Sequence, residues 1–282
     1  FTMLKSKIYC MCLHEHHLNN LIKLKYIPVG LGSHEFSDSW LKDNTKINIS
    51  EKNPYYGEYT FYYWFWKNIL ETSEDKTWFG FTGYRYHWSQ KNNIHSDELN
   101  AMINKDNFYQ FILKKIPSEW DETDVVLGQK MKVNNWKLSK IFKHAKKKFL
   151  LNPSYFIKSN QNIKLHFDVF HGDGLIDKAI NVLDEADRKD FKEFILNENS
   201  FNRENLFFCR SKTIMNNYFK SIFKWLEQCE KIFGFNLDGY SKKRIYAFLA
   251  ERYLSYWFNK YTKVLTWPIF FYDTNVNKIS LT

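Results

Sequence analysis

The chain has 282 residues, of which 44% are hydrophobic, 26% charged and 19% aromatic, a balance that suits a folded globular domain and leaves the high ring content to be explained. Its net charge of +10 calls for an anionic partner: nucleic acid, an acidic membrane surface or a phosphorylated small molecule. No stretch approaches the ~18 continuous apolar residues of a membrane span. Four cysteines are too few for a disulfide framework and no apolar leader is visible, so a reducing, cytoplasmic setting is expected.

Residues 7–13, KIYCMCL, read as a buried first strand that ends in the polar cluster His14-Glu15-His16-His17. Cys10 and Cys12 would share one strand face. A structural zinc takes four ligands from separate turns, so the pair is read as small buried side chains. Asn53-Pro54 opens a helix, with Asn as the N-cap and Pro where its missing N–H costs nothing. Tyr59, Tyr62, Tyr63, Trp66, Ile69 and Leu70 then recur at helical spacing, which predicts one apolar face packed on a sheet. Residues 77–84 read as a strand, with Gly80 and Gly83 where a neighbouring backbone or ligand comes close. This strand delivers Tyr84, Arg85, Tyr86 and His87 to its carboxyl end, the place where open α/β sheets hold ligands.

Residues 97–116 are expected to be helical and 123–128 to form another buried strand. Residues 129–160 carry a basic run that includes Lys140, Lys143, His144 and Lys146-Lys147-Lys148. His171-Gly172-Asp173-Gly174 precedes a helix whose Leu175, Ala179, Ile180 and Leu183 form a buried stripe. After the strand at 206–209 come helices over about 212–233 and 241–260. The last buries Ile245, Phe248, Leu249, Tyr253 and Tyr256, with Arg252 at the stripe's edge, and an inward-facing charge needs a partner. No repeat, low-complexity tract or linker divides the chain. The expectation is a single α/β domain over 1–282: a central, mostly parallel sheet flanked by helices, with a helical C-terminal part. A nucleotide-binding portion is placed at about 4–128 and an acceptor-side, catalytic portion at about 129–265; the whole can be a piece of a longer protein.

The ordered segments YIPVGLG, DNTKINISEKNPYYGEYTFYYWFWKN, WFGFTGYRYHW, TDVVLGQKMKV, NRENLFFCR and AFLAERYLSYW resemble the DUF4422 family of bacterial polysaccharide-biosynthesis glycosyltransferases, over nearly the whole chain. The resemblance implies a GT-A-like fold that binds a nucleotide sugar. It also implies transfer of a hexose, galactofuranose in some members, from a UDP-linked donor to a capsule or surface polysaccharide. Two departures bear on donor preference: a paired arginine of the family is Arg85-Tyr86 here, and a helix cysteine is Gly57. The wording around His171 and Asp173 is also shorter than the family's.

Such an enzyme must neutralise a departing diphosphate and, if it inverts, take a proton from the acceptor hydroxyl. Many GT-A enzymes meet the first need with Asp-x-Asp and a divalent metal, Mn or Mg. No Asp-x-Asp follows a strand here, so positive charge is expected from Arg85, His87 and Arg252, and no metal ligand is assigned. A surface salt bridge is the plain alternative for Arg85. Asp173, with His171 beside it, is the first candidate base, against the alternative of a helix N-cap. Glu251 is the second, against an ion pair with Arg252. His14, Val29, Gly30, Asn48, Asn53, Glu58 and Tyr84 are expected around the nucleotide and donor sugar, and Arg203 and Asn205 around the acceptor. The partners expected are a nucleotide sugar, a free or lipid-linked glycan, and the inner membrane surface as a peripheral contact. The competing classes are a nucleic-acid module using rings and lysines and a catalytically silent carbohydrate-binding relative.

Overall fold

The computed structural model describes residues 5–74, 76–93, 103–104, 107–134, 138–273 and 278–281. The first apolar run forms β1 (Ser6–Cys12), buried from Ile8 onward because neighbours pair with both its edges and helices cover the sheet. A short helix, α1 (Leu18–Leu24), returns the chain to β2 (Ile27–Gly30), and β3 (Leu41–Lys42) extends the row. On the other edge of β1 lies β4 (Trp78–Gly83), also parallel. A second parallel pair joins β6 (Val125–Gly128) to β10 (Val264–Trp267). Between the two blocks, β9 (Phe207–Cys209) runs antiparallel to both β4 and β6, giving the order β10-β6-β9-β4-β1-β2-β3. Gly80 permits this junction: a Cβ there would stand 1.9 Å from the Phe208 ring. Off the row, β5 (Tyr86–Trp88) folds back on β4 and pairs with β11 (Ile269–Asp273), which pairs with β12 (Lys278–Leu281). A two-stranded ribbon joins β7 (Lys130–Lys132) to β8 (Ser200–Asn202).

The expected single helix over 53–70 is broken. α2 (Asn53–Tyr56) stops at Gly57, which takes φ +57°, and α3 (Tyr59–Phe65) runs on into a π-helical turn at Trp66–Leu70. Asn53 is not the N-cap. It lies inside the first turn, and its amide donates to the Gly57 carbonyl at 3.0 Å and the Thr60 hydroxyl at 3.1 Å, spanning the break. Nor is one face alone apolar: Phe61 and Phe65 are as buried as Tyr59 and Tyr62. α3 is sandwiched between the sheet, through Tyr62–Phe81 and Phe65–Phe79, and α8 (Lys212–Phe233), through Tyr62–Phe219 and Tyr63–Phe223. The unusual ring content is largely core, packed mostly edge-to-face or tilted with a few stacked pairs such as Phe61–Trp64 and Trp66–Phe223.

Among the described residues the remaining α-helices are α4 (Leu138–Leu151), α5 (Ile163–His171), α6 (Leu175–Asn181), α7 (Glu185–Asn197), the short α9 (Tyr240–Lys243) and α10 (Ile245–Tyr261). Two readings of the sequence are only partly matched or not met among the described residues. Within 97–116, residues 97–102, 105 and 106 lie outside the described residues. The others form a single 3-10 turn at Phe108–Gln110 and a bridge from Ile112 to Ser89, so no α-helix is present among them. Asp173 does not cap α6: Gly174 holds that position without a side-chain bond, and its N–H donates to Asp168 at 3.1 Å.

Candidate active site

The carboxyl ends of β1 and β4 open into a cavity of about 240 Å³. Met11 and Leu13 continue β1 into its wall, and Gly83, Tyr84, Arg85 and Tyr86 do the same for β4. The α2–α3 break contributes Asn53, Gly57 and Glu58. The turn from β8 to β9 contributes Glu204 and Asn205, and the start of α10 contributes Arg244, Phe248 and Glu251. Buried Asp43 steadies the α2–α3 side, accepting from the Gly32 N–H at 2.8 Å and the Thr60 hydroxyl at 2.6 Å.

The β8–β9 turn is strained. Glu204 and Asn205 occupy φ +75° and +54°, the left-handed region that a non-glycine residue enters at a cost unless its surroundings hold it there. Those surroundings are specific. The Glu204 N–H donates to Glu251 Oε1 at 2.7 Å, and the Tyr62 hydroxyl donates to the Asn205 carbonyl at 2.6 Å. The Asn205 amide donates to Glu58 Oε1 at 2.6 Å and to the Ala247 carbonyl at 3.2 Å, and its oxygen accepts from Tyr59.

Three carboxylates, Glu58, Glu204 and Glu251, therefore share one hollow with two arginines, Arg85 and Arg244. Burial pushes the Glu204 carboxyl up to about 7, with the charge of Glu251 adding to the effect and Arg203 opposing it. Arg203 stands 3.1 Å from that carboxylate, and Tyr86 lies beside it. Burial also raises Glu58, against the pull of Arg244 at 3.6 Å. Arg244 reaches this place because Gly57 has no side chain: a Cβ there would be 2.2 Å from the guanidinium. Arg85, with a side chain 42% exposed, lies over the Tyr84 ring and 3.7 Å from Asp273.

Of the residues singled out from sequence, Asn53, Glu58, Tyr84, Arg85, Asn205 and Glu251 meet in this cavity. His87 does not line it. It faces the other side of β5 between Phe108 and Phe270, and burial drives its ring to about 3, so it is neutral and supplies no positive charge. Arg252 is 1% exposed and stands behind the wall. It donates to Glu251 Oε2 at 2.5 Å and the Phe248 carbonyl at 3.1 Å, and meets His166 Nδ1 at 3.2 Å and His171 Nε2 at 3.3 Å. Its charge is spent on Glu251 rather than offered to a ligand.

His171 is likewise enclosed, stacked on Phe248, and held neutral at about 2 by burial and by Arg252. Asp173 is mostly exposed, ion-paired to Lys148, and absent from the cavity lining. His14 groups instead with His16, His17, His34 and Tyr84 beyond the end of β1. Val29 and Gly30 are buried in β2, Gly30 against Phe36. Asn48 closes its own loop by bonds to Ser50 and to the Thr45 and Lys46 carbonyls, and Arg203 stands outside the hollow. Sequence reasoning missed Glu204 and Arg244. Arg244, Phe248 and Glu251 recur at i, i+4 and i+7, a spacing that could have placed Arg244 on the helix face already chosen for Glu251.

No three His, Cys, Asp or Glu side chains stand together as a metal-binding group among the described residues. The cavity's carboxylates are also already engaged: Glu58 by Asn205 and Arg244, Glu251 by Arg252 and a backbone N–H, Glu204 by Arg203.

An open, mostly parallel sheet covered by helices, with a polar hollow at its strand ends, defines a GT-A-like α/β protein. The apo structure of WbbM, a bifunctional glycosyltransferase, shares this fold. It has a TM-score of 0.68 and 21% identity over 94% of this chain, which spans 45% of that protein. Core-mannan synthase A from Aspergillus fumigatus, in its Mn/GDP form, overlaps far more loosely, with a TM-score of 0.37 and 11% identity over 95% of this chain and 74% of that one. Comparison with curated proteins found no match. Residues 7–263 match DUF4422, described as a domain of unknown function, and the chain belongs to that family.

Proposed function

We propose that the chain is an inverting glycosyltransferase that works in the cavity at the ends of β1 and β4. The observation that carries this reading is the gathering of Glu204, Glu251, Glu58, Arg85 and Arg244 in one hollow on a sheet of this topology. Arg85 and Arg244 face the diphosphate, where planar guanidinium groups suit phosphate oxygens in direction as well as charge. Glu204 takes the proton from the acceptor hydroxyl as its oxygen bonds to the anomeric carbon. The bond from that carbon to the diphosphate oxygen breaks, and the released charge is met by the two arginines. A carboxyl at about 7 is matched to that task near neutral pH. Glu251 and Arg252 position the Glu204 backbone, and Glu58 with Asn53 hydrogen-bonds sugar or ribose hydroxyls.

From the family resemblance we take a UDP-linked hexose of galactofuranose type as donor and a bacterial capsule or surface glycan as acceptor. The rings of 53–70 and 77–88 are mostly core, so they offer no stacking platform for a nucleic acid.

Thermal-shift measurements with UDP, GDP, CDP and TDP sugars, with and without manganese, test the reading. Stabilisation by one nucleotide class is expected, lost in Arg85→Ala and Arg244→Ala. No shift with any of them would overturn it. A shift without turnover would mark a silent carbohydrate-binding relative.

A further inference from the structure

The surplus positive charge is concentrated in one stretch. Between Asp124 and Asp168 ten lysines occur without a single Asp or Glu, and the rest of the chain carries equal numbers of acidic and basic residues. The end of α4 and two 3-10 turns after it, Pro153–Phe156 and Lys158–Asn160, form the tip of this stretch. There Leu150, Leu151, Tyr155 and Ile157 are 65, 70, 49 and 57% exposed. Lys146, Lys147 and Lys158 are exposed alongside them.

The tip is anchored. Ala145, Phe156 and Leu165 form a small core of their own, with Phe149 and Val169 packed against it, and Phe149 meets Phe156 edge-on at 5.5 Å. The Gln161 amide donates to the Phe156 carbonyl at 2.7 Å, and Lys148 pairs with Asp168 on α5 at 3.3 Å. With Phe149 and Phe156 turned inward, the fold itself turns the two leucines, Tyr155 and Ile157 outward.

We propose that this tip seats the protein on a bilayer containing anionic phospholipid. Leu150, Leu151, Tyr155 and Ile157 enter the boundary between headgroups and acyl chains, and Lys146, Lys147 and Lys158 lie against the phosphates. A soluble polyanion would satisfy the lysines and leave four large apolar side chains in water, so the lipid surface is the better match. No helix among the described residues is long and apolar enough to cross a membrane, and the contact proposed here is one at the bilayer surface. The seat does not depend on the transferase reading.

The test is co-sedimentation of the full chain with vesicles of phosphatidylcholine alone and with about a third phosphatidylglycerol. The wild type is expected to pellet with the anionic vesicles only. Leu150→Ser/Leu151→Ser/Ile157→Ser and Lys146→Ser/Lys147→Ser/Lys158→Ser should each lower binding at least ~10-fold, since the apolar and charged contributions add. Both sets are exposed, so unchanged circular dichroism and thermal unfolding are expected. A wild type that stays in the supernatant overturns the proposal. So does a folded apolar variant that binds as well as the wild type, which would leave charge alone as the attraction. Nucleotide-induced thermal shifts should be the same in both variants.

Discussion

Glu204→Gln should stabilise the protein at alkaline pH while abolishing its turnover. The Glu204 side chain is 17% exposed and its carboxyl lies at about 7 instead of 4.5. At ~1.36 kcal/mol per pH unit, holding it ionised in the folded state costs about 3 kcal/mol. Because the folded pKa is raised, the native state binds more protons than the unfolded chain between pH 4.5 and about 7. Stability from this group is therefore complete below pH 4.5 and is lost as pH rises through 7. Glutamine removes the titration. The difference in urea unfolding free energy between variant and wild type should be near zero at pH 4.5 and grow to about 3 kcal/mol in favour of the variant at pH 8. Comparing two proteins that differ at one group cancels the other titrations. A difference that does not change with pH, or a wild type more stable than the variant at pH 8, would refute the reasoning. On the proposed chemistry, kcat/KM of the wild type should rise with pH to a plateau above about 7, and the variant should lose about 10²–10⁴-fold.

Arg252→Met leaves Glu251 without its buried partner and should cost about 3–5 kcal/mol in urea unfolding, with much of the loss recovered in Glu251→Gln/Arg252→Met. Full loss in the double variant would show that Arg252 acts through His166 and His171 instead. Gly57→Ala places a Cβ where the Arg244 guanidinium lies and strains a φ of +57°, so nucleotide affinity measured by calorimetry should fall about 10-fold or more. Affinity equal to the wild type would remove Arg244 from the site. Asp173→Asn should leave kcat/KM within about twofold, since an exposed ion pair contributes little; a loss of a hundredfold would return Asp173 to the list of bases.

Much of the architecture was legible because hydrophobic period reports burial directly. β1, β4 and β6 stood out as short apolar runs, and the 212–233 helix emerged with its observed ends. Periodicity failed where the chain departs from regular geometry. Gly57 and the π-helical turn interrupt a pattern that still reads as one helix, and in the described part of 97–116 a 3-10 turn stands where a helix with a polar face was expected. The strand-end rule led to Tyr84 and Arg85 but did not show that the chain reverses there into β5, where Tyr86 lines the cavity and His87, one residue on, faces the other side. Asp173 and His171 were chosen for residue type next to a glycine turn. The structure turns one toward Lys148 and closes the other behind Phe248, contacts between elements far apart in sequence. Glu204 carried no local signal, because its perturbed carboxyl comes first from burial in the assembled cavity and then from the charge of Glu251, 47 residues away.

The antiparallel β9 also bears on how the protein is made. A nascent chain that has emerged only as far as residue 200 can assemble β1, β2 and β4, yet the adjoining edge of β4 stays open, and β6 lacks both β9 and β10. One edge of β4 and both edges of β6 would stand unpaired until Phe207–Cys209 closes two of them, and the third waits for Val264–Trp267, a period in which edge-to-edge pairing between chains is a hazard.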